Sequence, residues 1–170
     1  LISVIFWVFT DLHQHVFFLI GLISIGLVSF LDDIFTLKNT TRFIVQVIAV
    51  SLAMVNTGLM PTNIILVALV ILIYIGWINA YNFMDGINGI TSFYTLSILI
   101  PLSMTMQIYS IPYYSLVVYI GISVIVFMSL NVRSRALAFC GDIGAVVLAY
   151  VTGFIILRVI MTTGKLEYIL

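Results

Sequence analysis

Charge is what this sequence has least of: six basic and six acidic residues make up 7% of its 170 positions, where soluble domains carry about a quarter. That shortage excludes an ordinary water-facing domain. The matching excess, 64% hydrophobic residues, points to an integral membrane protein. Cysteine is almost absent. With Cys140 alone an internal disulfide is ruled out, and no Cys or His cluster is at hand for zinc or a redox pair. The net charge is zero, so nothing in the total argues for nucleic acid as a partner. Residues 1–10 lack a basic leader and a small-residue cleavage site, which argues against a signal peptide. The chain starts at Leu1, inside an apolar run and without an initiator Met. We read residues 1–170 as one transmembrane domain, truncated at both ends.

What is present is a succession of apolar runs. Residues 1–10 look like the end of a helix, closed by the polar patch around Asp11, His13, Gln14 and His15. Two histidines two apart point to different sides of a helix and make a poor metal pair, so this patch reads as an interfacial polar turn. Six runs then reach membrane length or approach it: 16–31, 43–55, 63–78, 90–108, 113–130 and 143–163. Asn56, Gly58 and Pro61 stop the second, and Thr62 or Asn63 is placed to cap the third. Pro101 should kink the fourth or end it early. The fold class expected is all-α, a polytopic helix bundle with about six spans and no soluble linker.

Orientation follows from the connections. Those after the first, third and fifth spans lie on one side and hold Lys38, Arg42, Arg133 and Arg135, whereas only Arg158 and Lys165 fall near the other. The positive-inside tendency makes the first side cytoplasmic. Asp32, Asp33, Asp85 and Asp142, four of the six acids, fall on that same side. Carboxylates do not set topology. Each stands at the end of a span, either as interfacial charge or as part of one site that handles a polyanion with a divalent cation.

Two stretches favour the site. Asn79-Ala-Tyr-Asn82-Phe-Met-Asp85-Gly-Ile-Asn88-Gly-Ile-Thr-Ser92 lies between two apolar runs, where a carboxylate and carboxamides are costly unless they meet water, a cation or each other. Its glycines allow a tight turn or close approach to a phosphate; alone, the stretch is also a plain helix-to-helix turn. Phe139-Cys-Gly-Asp142-Ile-Gly puts a carboxylate between glycines at a helix start, where free N–H groups suit a phosphate. Phe139 is placed either to stack on a planar base or simply to sit at the interface. Arg133 and Arg135 are placed to pair with phosphate or to set topology.

Together with Asp32-Asp33 before Ile-Phe-Thr-Leu, these ordered motifs closely resemble the polyprenyl-phosphate N-acetylhexosamine-1-phosphate transferases, the superfamily that includes the peptidoglycan translocase making lipid I. The resemblance spans about residues 21–153. It implies transfer of a sugar-1-phosphate, N-acetylhexosamine of the GlcNAc type, from a UDP-sugar to polyprenyl phosphate with release of UMP. It further implies Mg²⁺, with Mn²⁺ as a substitute, a bacterial plasma membrane location with the site on the cytoplasmic side, and a pathway of cell-wall or O-antigen type. A homodimer is compatible with it. Asp32 and Asp33 match the acidic pair that includes the base, assigned to Asp32. Asp85 and Asn82 match the nucleotide and metal pocket, Asp85 being counted with the catalytic acids. Asp142 matches the Mg²⁺ ligand, Phe139 the aromatic that stacks on uracil, and Arg42 a phosphate-facing cation that is Lys in many members.

The chain departs from the pattern in places. Asn88 stands where the family has a second aspartate, which removes a charge near the uridine. A proline before Ala136 is missing, Asn131 lies one position farther from Asp142 than expected, and the family's histidine-rich loop would fall beyond Leu170. A rival class is a cation-coupled transporter subunit, which requires ionisable residues near span midpoints. The motif acids stand at span ends instead.

Overall fold

In a computed structural model, which describes residues 12–59, 63–111 and 113–164, the described residues form six helices and no strands. They are α1 (Leu12–Phe35), α2 (Asn39–Thr57), α3 (Ile64–Met84), α4 (Ile90–Ile108), α5 (Tyr114–Asn131) and α6 (Gly141–Thr163). Five of them are long and apolar enough to cross a membrane. The sixth, α4, has the length, but Thr, Ser, Gln and Pro101 dilute its apolar character. Expectations for residues 1–10, His13, Pro61, Thr62, Pro112 and 165–170 lie outside the described structure or side chains.

The bundle is built around α6, which packs against α1, α2, α3 and α4. In its apolar segment 67% of residues are buried, against 22–33% in the other spans. Lipid and helix interiors are equally apolar, so close approach rather than hydrophobicity must hold the helices together. Two glycines permit it. A side-chain carbon at Gly21 would lie 2.1 Å from the Tyr150 hydroxyl, and one at Gly153 would lie 2.1 Å from the Tyr74 ring. The rings thus nest against bare backbone. Their hydroxyls bond in turn to backbone carbonyls: Tyr74 to Tyr150, and Tyr150 to Ala49 at 3.1 Å. Trp77 Nε1 donates to Ala149 at 3.2 Å. Each bond replaces a polar group's lost water inside the bilayer.

Several boundaries differ from the sequence expectation. The first helix continues past Leu31 to Phe35, because Asp32 Oδ1 accepts the Leu37 N–H at 2.8 Å and closes the helix from within. The third continues past Ile78 to Met84, so Asn79 and Asn82 are helical residues. Asn79 is accommodated by a reciprocal carboxamide pair with the buried Gln46, at 3.3 and 3.4 Å. Asn63 caps α3 by accepting from Ile65 N at 2.9 Å. Pro101 does not end α4, which runs on to Ile108. Proline costs the helix the bond to the Ser97 carbonyl, and packing of α4 against its neighbours, α6 among them, holds the helix together past that point. His15 also departs from the interfacial turn expected of it. It is buried, edge-on to Tyr113 with ring centroids 5.6 Å apart.

Candidate functional site

Because the helices alternate in direction, the ends of α1, α3 and α5 and the starts of α2, α4 and α6 share one face. Polar bonds tie these ends together. Asn131, the last residue of α5, accepts the Gly89 N–H at 2.6 Å and donates to the Ala138 carbonyl at 2.8 Å. That single buried side chain fastens the α3–α4 turn to the loop before α6. Gly89 makes it possible: its φ of 88° is left-handed, and a side-chain carbon there would lie 2.8 Å from Val132. Asn88 is exposed and its Nδ2 lies 3.4 Å from the Arg133 carbonyl.

The acidic pair divides as its helical position dictates, since neighbours on a helix point about 100° apart. Asp32 turns toward α2, where its Oδ2 lies 2.7 Å from Arg42 Nη1. With Oδ1 on Leu37 N, both of its oxygens are engaged. Asp33 is exposed, within electrostatic reach of Asp142, Asp32 and Arg42. Arg42 also borders a small cleft of about 10 Å³ between α1, α2 and α6, lined by Ile25, Val28, Ser29, Val45, Gln46 and Val146. Arg42, Ser29 and Gln46 form its polar lining and the rest is aliphatic.

Asp85 terminates α3 and is half-buried. The Thr91 hydroxyl donates to its Oδ1, and the Gly141 N–H lies within electrostatic reach of the same carboxylate. Burial, with a smaller repulsion from Asp142, still holds its carboxyl above the ordinary carboxylate range. Asp142 lies in the first turn of α6, its Oδ2 3.4 Å from Asn82 Nδ2. The other end of that amide, Asn82 Oδ1, is buried without a hydrogen-bond partner. Cys140 is tucked between Asp85 and Gly144. A side-chain carbon at Gly144 would meet its sulfur at 2.6 Å, which accounts for that motif glycine. Burial, then the nearby Asp85, pushes the thiol up to about 12, so it stays protonated and unreactive.

Asp32, Asp33, Arg42, Asn82, Asp85 and Asp142 therefore form one connected neighbourhood. Phe139 is 76% exposed beside it, and Arg133 and Arg135 are exposed on the same loop. Among the described residues no group of three or more His, Cys, Asp or Glu converges as a ready cage for a metal. Mg²⁺ does not require one. It is commonly held by one or two carboxylates, with water and substrate phosphate completing the shell. The Asp142 carboxylate and the orphaned Asn82 oxygen are hard oxygen donors that fit this mode. Sequence reasoning included Thr91 in the motif stretch but gave it no role, and it passed over the tie made by Asn131. The one available signal was a hydroxyl and a carboxamide placed next to the motif glycines at helix ends.

Residues 15–160 match the family model of glycosyl transferase family 4. No curated protein matches the chain.

Proposed function

The chain belongs to glycosyl transferase family 4, the family of phospho-MurNAc-pentapeptide translocase-like polyprenyl-phosphate transferases, and on that premise we propose its donor, metal and division of labour. As a member it is a multi-pass membrane enzyme that moves a sugar phosphate onto polyprenyl phosphate. The donor proposed is a UDP-N-acetylhexosamine of the GlcNAc type, approached from the cytoplasmic side of a bacterial plasma membrane.

The reaction is a phosphoryl transfer. An oxygen of the lipid phosphate bonds to the phosphorus next to the sugar, the bond from that phosphorus to the bridging oxygen breaks, and UMP leaves with that oxygen. Most of the catalysis required is positioning and charge stabilisation. Bound Mg²⁺ would supply charge neutralisation on the diphosphate, held by Asp142 with Asn82 Oδ1. Arg42, oriented by Asp32 at 2.7 Å, faces the lipid phosphate with its remaining N–H donors. Ile25, Val28 and Val45 beside it offer the first prenyl carbons an apolar surface to lie against. The sequence reading gives the base to Asp32. The engagement of both Asp32 oxygens favours Asp33 instead, exposed and facing Asp142, as the group that takes any proton from the lipid phosphate. Phe139 stacks on the uracil, and Asn88 offers a carboxamide where a charge is usual.

The observation that carries this reading is the gathering of Asp33, Asp85 and Asp142, from three separate helix ends, within electrostatic reach at one membrane face. The test is UMP release from UDP-sugars by membranes containing the full-length protein, with polyprenyl phosphate and with or without Mg²⁺. Full activity in both Asp142→Asn and Asp33→Asn variants would overturn the assignment.

A further inference from the structure

Thr91 closes the motif stretch without a role assigned to it, yet it is 2% exposed and its hydroxyl donates to the Asp85 carboxylate. A buried hydroxyl is unfavourable unless it is bonded, and valine has the same shape without that penalty. The hydroxyl therefore has a use, and the bond it makes identifies the use. Asp85 also lies within electrostatic reach of the Gly141 N–H at the start of α6. One carboxylate at the end of α3 thus bridges the first turn of α4 and the first turn of α6, where Asp142 is carried. We propose that Thr91 is a positioning residue: it locks Asp85 so that Asp85 pins the start of α6, which sets where Asp142 stands relative to Asn82 and Asp33.

The catalytic meaning of this clasp rests on the transferase reading; its mechanical part does not. Cys140 immediately precedes α6, half-buried and near Asp85, so access to its thiol reports whether the start of α6 is held. The experiment is maleimide labelling of Cys140 in the full-length protein, quantified on the peptide, for Thr91→Val, Thr91→Ser and the control Thr95→Val. Thr95 is equally buried but bonds to the Thr91 carbonyl and Tyr81, not to Asp85. Losing a hydrogen bond to a charged group should raise labelling about tenfold in Thr91→Val. Thr91→Ser, which keeps the hydroxyl, should stay within about twofold of wild type. Wild-type labelling of Thr91→Val overturns the clasp, as does Thr91→Ser behaving like Thr91→Val. If Thr95→Val labels as fast as Thr91→Val, general loosening is the cause and the clasp is equally overturned. UMP release by the wild type separately reports whether the transferase reading itself stands.

Discussion

Asn82 and Asp142, sixty positions apart in the chain, face each other with Nδ2 3.4 Å from Oδ2. The contact joins the end of α3 to the start of α6 and leaves the amide oxygen buried and without a partner. An acceptor stranded next to a carboxylate is a poor arrangement for a protein alone and a good one for a protein awaiting a cation.

Asp142→Asn should therefore reduce Mg²⁺-dependent UMP release on the order of hundredfold, the scale of removing one aligned electrostatic group. Asn82→Ala should raise the Mg²⁺ concentration needed for half-maximal rate about tenfold. Titration of activity against Mg²⁺ measures both. An unchanged metal requirement in Asn82→Ala would remove that residue from the metal site.

Arg42 and Asp32 form an ion pair whose side chains are 27% and 12% exposed. Solvent screening keeps its stability contribution under about 1 kcal/mol. Arg42→Ala should leave the thermal midpoint in detergent nearly unchanged while raising the KM for polyprenyl phosphate several-fold, whereas Arg42→Lys, which keeps the charge but loses the planar fork, should fall between. A large fall in thermal midpoint would make the pair structural instead.

Asp85 carries the pH prediction. Burial raises its carboxyl above the ordinary range, so the folded protein holds this proton more tightly than the unfolded chain does. Stability from this group is then present below the ordinary carboxylate value and is lost as pH rises through the raised one. The melting temperature of wild type relative to Asp85→Asn should accordingly improve as pH is lowered from about 7 to about 4. A difference that moves the other way would contradict the burial effect.

Gly153→Ala places a carbon into the Tyr74 ring and should lower stability by about 1–3 kcal/mol, the usual result of overpacking. Gly76→Ala, also within a spanning helix but with no atom within 4 Å of the new carbon, should be neutral or slightly stabilising. Thermal unfolding in one detergent compares the two directly.

Much of the site was legible because its chemistry violates its surroundings. Asp32, Asp33, Asp85 and Asp142 are conspicuous in a chain this apolar, and alternation of spans places their helix ends on one side without any coordinates. Helix ends were less legible. Polarity at Asn79 and Asn82 reads as the end of a span, yet α3 continues to Met84, because Gln46 on another helix satisfies Asn79. That pairing is a property of two segments in contact, and neither segment encodes it alone.

By itself, the sequence determined the class of protein, the helical architecture and the set of polar groups at the membrane face, since composition and the period of apolar residues act locally along the chain. Only the tertiary structure decided which oxygen is engaged and which is left over. Asp32 is occupied by Arg42 while Asp33 is exposed, Asp85 is gripped by Thr91, and Asn82 is left with an unpaired acceptor. Hydrogen bonds are directional and act over a few ångströms, so their partners exist only once α6 has packed among its neighbours.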